Sequence, residues 1–203
     1  MTVRHVLLDA DGVVQSIPGG QWALAEPYLG GRSVELLEEV FADELSSLRG
    51  EGDFVPELRR SFEKHGIDVD VEAFYAALWN SIEVSPEMVD LVHGLRAAGY
   101  GVHLGTNQHR ERAAYMREQL GYDELFDVGC YSCELGAAKP EPAFFARALE
   151  RIGASPEEVL FVDDVLANVE GARAAGLAAE LWDLGRGMPE LRTRLGAHGV
   201  KVG

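Results

Sequence analysis

Apolar residues fall along this chain in two rhythms. In SVELLEEVFADELSSL (residues 33–48) they stand at Leu36, Leu37, Val40, Phe41, Leu45 and Leu48, the three-and-four spacing of a single helix face. RGEGD breaks that pattern. VPELRRSFEKHG repeats it and stops at Gly66, a helix-ending position. DVEAFYAALWNSI follows as a third amphipathic helix, with Asp70 placed to cap its first turn. Residues 13–31, punctuated by SIPGG and LGG, read as irregular. Residues 15–84 are therefore expected to be helical, with no strand signal.

The second rhythm starts after SIEVSP. PEMVDLVHGLRAAGY predicts a helix opening at Pro86 and closing before Gly99. YGVHLGTN predicts a strand, RERAAYMREQLGY a helix, LFDVGCYSC a short strand and PEPAFFARALERIG a helix. SPEE predicts a capped turn, EVLFVDD a strand, ANVEGARAAG a helix, LAAELWD a strand and PELRTRL a closing helix. VRHVLL, residues 3–8, is a further strand near the start of the chain. Strands alternating with helices imply right-handed crossovers and a parallel sheet. The expected fold is α/β: a Rossmann-like parallel core over residues 1–14 and 85–203, with a small helical insert over residues 15–84 after the first strand.

In an open parallel sheet, ligands bind beyond the carboxyl ends of the strands. The first strand ends in Asp9-Ala10-Asp11-Gly12, and VHLG in Thr106-Asn107. The third strand region leads to Lys139 in GAAKPEP, and EVLFV ends in Asp163-Asp164. The fold would gather these groups on one rim. Four converging acids cannot all ionise without a cation among them. Hard oxygen donors, with no histidine or cysteine beside them, suit Mg²⁺, placed between Asp9 and the Asp163–Asp164 pair. A carboxylate held beside such an ion can attack phosphorus and form an aspartyl phosphate. Lys139 and the Thr106 hydroxyl would offset charge on the phosphoryl oxygens. A second acid two residues on could protonate the leaving oxygen and later deprotonate water. Asp9 and Asp11 fit these two roles, and Gly12 lets the chain turn away without blocking the site.

DADGV, GTN, the lysine of AAKPEP and FVDDVLAN, in that order, resemble the four motifs of the haloacid dehalogenase superfamily, and the match spans the core. The insert resembles that superfamily's helical cap of the first type. GTN, YSCELGAAKPEP and FVDDVLANVEGARAAGL are similar to sugar-phosphate phosphatases of the glucose-1-phosphatase type and to the phosphatase domain of soluble epoxide hydrolases. The resemblance implies Asp9 as nucleophile and metal ligand, and Asp11 as acid/base whose backbone carbonyl also meets the metal. It implies Thr106 and Asn107 as phosphate holders, and Lys139 as a bridge between nucleophile and phosphate. Asp164 would be a direct metal ligand, Asp163 one acting through water, and Asn168 a support behind them. The superfamily's dehalogenases place an aromatic residue where Asp11 stands, because a halide leaves without a proton, so Asp11 argues against dehalogenation.

Composition narrows the partners. The formal charge is −16, which repels nucleic acid and anionic lipid. No apolar run is long enough to span a membrane, and the first residues lack a signal-peptide pattern, so a cytoplasmic location is expected. Cys130 and Cys133 lack a second ligand pair and read as ordinary thiols at a strand end. Arg59, Arg60, Lys64 and His65 read as a solvated helix face. Trp22, Trp79 and Phe54 are candidates for the lining of a cap–core cleft, although aromatics at this spacing also build cores. His109 and Arg110 follow GTN closely but are given no role. The expected activity is hydrolysis of a small phosphorylated metabolite. A sugar-phosphate mutase on the same site, and a non-catalytic sugar-phosphate-binding regulator, are the alternatives.

Overall fold

The computed structural model describes residues 2–201 of the chain, and the side chain of Asp43 is left aside. Residues 1, 202 and 203 of the expected core lie outside the described residues. Five parallel strands form the central sheet: β1 (His5–Leu8), β4 (Gly101–Thr106), β5 (Val128–Tyr131), β6 (Val159–Asp163) and β7 (Ala178–Leu181), in the order β5-β4-β1-β6-β7. β1 lies at the centre, where the strand order reverses. Leu8 is level with Leu104 on one side and Val162 on the other, so the residues following all three strands share one rim.

The strands are largely apolar because both faces of the sheet are covered. Successive side chains feed opposite layers. Val6, Leu8, Leu160 and Val162 enter one buried cluster, under α6 (Pro86–Ala97), α7 (Arg110–Glu118), α8 (Tyr122–Leu125) and α12 (Met188–Ala197). Leu7, Val159 and Phe161 enter the other, with α10 (Pro142–Ile152) and α11 (Leu166–Ala174). The short α9 (Ser132–Leu135) follows β5 directly.

The chain between β1 and α6 is a second helical unit with its own core. It holds α1 (Gly20–Leu29), α2 (Ser33–Asp43), α3 (Leu45–Leu48), α4 (Phe54–Lys64) and α5 (Val71–Trp79). Leu36, Leu37, Val40, Leu58, Phe62, Phe74 and Leu78 are buried together within it. Asp70 caps α5 by accepting from the Ala73 N–H at 3.0 Å, as its position predicts.

Two expectations need correction. Residues 13–31 are not irregular throughout, because α1 occupies Gly20–Leu29. This helix contains Pro27 and buries only Ala25 and Leu29. It has no repeating apolar face to read, and packing on α2 and α5 supports it instead. Residues 15–84 are also not free of strand. β2 (Gln15–Ser16) pairs antiparallel with β3 (Glu83–Val84), tying the two ends of the helical unit together. Two-residue strands leave no alternation to detect.

Candidate active site

Asp9 follows β1, Thr106 ends β4 and Asp163 ends β6, and their registered strands bring them onto one rim. Lys139 reaches them from the loop before α10. Its ammonium lies 2.6 Å from Asp9 Oδ1 and 2.6 Å from Asp163 Oδ2, fully buried between the two carboxylates. Burial disfavours the ammonium, but the two acids more than compensate and hold it charged. Burial pushes the Asp9 carboxyl up, Lys139 pulls it down and Asp163 pushes it up again. One cation between two buried acids leaves an excess negative charge.

Asp163 is wholly buried and its oxygens are occupied. Besides Lys139, it accepts from Asn168 Nδ2 at 3.0 and 3.2 Å and from the Val165 N–H at 2.8 Å. It anchors Lys139, and Asn168 stands behind it. Asp164 instead faces the opening, where burial and the neighbouring Asp163 push its carboxyl up to about 6. Asp9, Asp163 and Asp164 each offer a carboxylate oxygen, all within 4.8 Å of one another. Gly12 makes room for this group: a Cβ there would lie 2.2 Å from Asp164 Oδ2. The hard, all-oxygen donor set fits a small divalent cation.

Asn107 contacts the backbone of Lys139 at two points. Its Nδ2 donates to the Lys139 carbonyl at 3.0 Å, and its Oδ1 accepts from the Lys139 N–H at 2.8 Å. Its amide thus locks the lysine loop to the end of β4. The buried Thr106 hydroxyl accepts from Gln108 Nε2 at 3.0 Å. Asp9, Asp11, Thr106, Asn107, Lys139, Asp164 and Asn168 line a common opening of about 260 Å³.

Asp11 is held by residues that the sequence did not reveal. Arg112 forks onto it, Nη1 to Oδ2 at 2.5 Å and Nη2 to Oδ1 at 2.8 Å. Gln15 Nε2 donates to Oδ1 at 3.0 Å and Gln108 Nε2 to Oδ2 at 2.9 Å. Burial alone would raise this carboxyl; the Arg112 guanidinium overrides it and, with these hydrogen bonds, holds it at about 2. Arg112 Nε also donates to the Trp79 carbonyl at 2.6 Å, joining Asp11 to the helical unit. In sequence Arg112 is one charge on a helix rich in charges, which reads as solvated, yet it is buried.

The remaining candidates have other places. His109 is buried in the seam between the two units, stacked on Phe54 at 4.3 Å with its Nδ1 3.1 Å from the Tyr75 hydroxyl. Trp79 lines the cavity beside Asp11, Phe54 lies in the helical unit's core and Trp22 is exposed. Arg59 and Lys64 form ion pairs on the helical surface, and His65 Nε2 lies 2.8 Å from Glu39 Oε2. Cys130 and Cys133 are both buried, which pushes their thiols up to about 12 and about 11, so neither is activated.

A parallel sheet with a carboxylate-rich centre at its switch point, overlaid by a helical unit inserted after the first strand, defines a capped α/β hydrolase. The chain belongs to the haloacid dehalogenase-like hydrolase family, whose model matches residues 3–176. It is 28% identical over 202 residues to Phosphatase MT3486 of Mycobacterium tuberculosis, covering 90% of this chain and 88% of that one. It is 26% identical to Bifunctional epoxide hydrolase 2 of Mus musculus, covering 89% of this chain and 36% of the larger protein. Among solved structures, the haloacid dehalogenase family enzyme bt-2542 of Bacteroides thetaiotaomicron, in complex with magnesium and inorganic phosphate, superposes with a TM-score of 0.77. The identity is 22%, over 93% of this chain and 98% of that one. No helix among the described residues is long and apolar enough to cross a membrane.

Proposed function

We propose that this chain is a Mg²⁺-dependent phosphatase of a small phosphorylated metabolite, a sugar phosphate or similar, working through an aspartyl phosphate on Asp9. The observation that supports this best is Asp9 itself. It is a buried carboxylate at the sheet's switch point, steadied by Lys139 and grouped with Asp163 and Asp164. Asp9 and Asp164 would hold the ion with the backbone of Asp11, and Asp163 would act behind them. When bound, Mg²⁺ supplies a fixed positive charge that neutralises the carboxylate and phosphoryl oxygens. The phosphatase name of the mycobacterial relative and the magnesium and phosphate in the bt-2542 structure favour the same reading.

The steps follow from the residues. An Asp9 oxygen attacks phosphorus in line and the substrate's ester oxygen leaves, taking a proton from Asp11. Lys139 and Thr106 offset charge on the phosphoryl oxygens. Water then attacks the aspartyl phosphate, gives its proton to Asp11, and phosphate departs with Asp9 restored. The four hydrogen bonds around Asp11 favour its carboxylate, the form that accepts the proton from water. To donate in the first step, one Asp11 oxygen must carry a proton toward the ester oxygen while the other stays on the Arg112 guanidinium. The helical unit of residues 15–84 serves as the cap that excludes bulk water.

Phosphate release from a library of phosphorylated metabolites tests the activity, and Asp9→Asn tests the residue. Removing the nucleophile should cost many decades of rate, because uncatalysed monoester hydrolysis is so slow (enhancements reach about 10²¹). An unchanged circular dichroism spectrum should accompany the loss. Asp9→Asn activity within tenfold of the native protein would rule out the covalent route.

A further inference from the structure

Beyond Asp11 the opening continues into a cavity of about 490 Å³ between the cap and the core. Asp11 and Asn107 line both spaces, so this cavity receives the part of the substrate that leaves. Its charged lining among the described residues is Asp11, Arg112 and Glu44. Arg112 is spent: its guanidinium is taken up by Asp11, the Trp79 carbonyl and Gln108 Oε1. Glu44 is not comparably paired. Arg112 acts on it only as a nearby charge, without an ion pair, and the cationic candidate within 4.0 Å is His109 Nε2, whose imidazole burial pushes toward its neutral form. The cavity therefore presents a carboxylate and no uncommitted cation.

The rest of the lining suits an uncharged guest. Ser16 and Gln21 offer hydroxyl and amide groups, while Phe41 and Trp79 offer apolar surfaces. Resting on the phosphatase reading, we propose that Glu44 is a specificity-determining residue that selects substrates whose leaving group is an uncharged polyol and rejects those bearing a second anion. Its carboxylate accepts hydrogen bonds from hydroxyl groups and repels a carboxylate or second phosphate. The same charge disfavours a mutase, which must hold a sugar bisphosphate with one phosphoryl group at this end.

The test compares kcat/KM for hexose 1-phosphate, hexose 6-phosphate, 2-phosphoglycolate and hexose 1,6-bisphosphate at fixed ionic strength. It is run at pH 8, because burial pushes the Glu44 carboxyl up to about 7. The native protein should favour the better hexose monophosphate over both competitors that carry a second anionic group by about tenfold or more. Glu44→Gln should shrink that ratio, mainly by lowering KM for 2-phosphoglycolate and the bisphosphate, and Glu44→Lys should shrink it further. A native preference for 2-phosphoglycolate or the bisphosphate would overturn the proposal without any variant. So would an unchanged ratio in an active Glu44→Gln protein. No phosphate release from any substrate would instead overturn the phosphatase reading, and this inference with it.

Discussion

Gly12 has φ +78° and faces Asp164 across a gap that a single methyl group would close. Gly12→Ala adds both a strained backbone and a collision 2.2 Å from Asp164 Oδ2. The Mg²⁺ concentration for half-maximal activity should rise by about tenfold or more, as for residues that orient metal ligands. Gly66 separates the two effects. It also has a positive φ, of 64°, but no neighbour within 4 Å of an added Cβ. Gly66→Ala should cost about 1 kcal/mol of stability and leave the Mg²⁺ requirement alone. Equal Mg²⁺ dependence in the two variants would show that the Gly12 gap has no part in metal binding. At Asp11, Asn should slow turnover by about 10²–10⁴. Aryl phosphates need little protonation on leaving, so single-turnover formation of the aspartyl phosphate should suffer less with them than with alkyl esters. An identical deficit for both would remove Asp11 from the acid role.

Between elements, an imidazole pair joins β1 and β4. His5 Nδ1 and His103 Nε2 are 3.0 Å apart, the rings stack at 5.2 Å, and His103 is buried with its Nδ1 unpartnered. Burial, then His5, push His103 down from the ordinary 6.5 to about 4, while Asp127 pulls weakly the other way. Below pH 6.5 the unfolded chain binds a proton that the folded chain refuses. Stability is therefore lost as pH falls from 6.5 to about 4, and the effect levels off below that. At about 1.4 kcal/mol per unit, the loss is at most about 3 to 4 kcal/mol. Urea unfolding at pH 7 and pH 4.5 should show a smaller acid loss in His103→Gln than in the native protein. Parallel losses would show that the pair does not sense pH.

Across the whole molecule, the cap lies on the core through contacts that flank the site. Arg49 of the cap pairs with Glu141 before α10, and Arg110 donates to the Gly50 carbonyl at 2.7 Å. A Cβ at Gly50 would lie 2.1 Å from the Cys133 carbonyl oxygen, so the cap backbone rests directly on the core. The surface around this assembly is strongly acidic, which makes a local cation at the centre the more necessary. EDTA should inactivate the protein and Mg²⁺ should restore it. Ca²⁺ takes six to eight ligands at about 2.3–2.6 Å and tolerates bidentate carboxylates, so it could withdraw both Asp9 oxygens from phosphorus. It should inhibit competitively with Mg²⁺. Full activity in a sample shown metal-free by elemental analysis would exclude the ion.

Sequence alone determined the parallel core and its polar rim. Long apolar strands such as EVLFV, and helices with a periodic face such as α4, are local patterns that burial enforces wherever they fall. Asp9, Asp11, Thr106 and Asp164 were legible because each stands at or just beyond a strand end, and a parallel sheet brings such ends together; Lys139 was read from the loop after the third strand region and reaches the rim from just before α10. Tertiary structure decided the rest. Helix α1 has no amphipathic face of its own, and the β2–β3 pair joins residues roughly seventy positions apart. The partners of Asp11 also lie far along the chain: Arg112 comes from a charged helix and turns inward only because α7 packs beside Trp79. Asp163 and Asn107 were read as parts of the site, but only the folded contacts show one anchoring Lys139 and the other clasping its backbone. Glu44 likewise becomes the wall of a cavity only when the cap lies over the core. Periodicity reports which face of an element is buried; what a polar side chain meets there depends on residues that the chain brings from elsewhere.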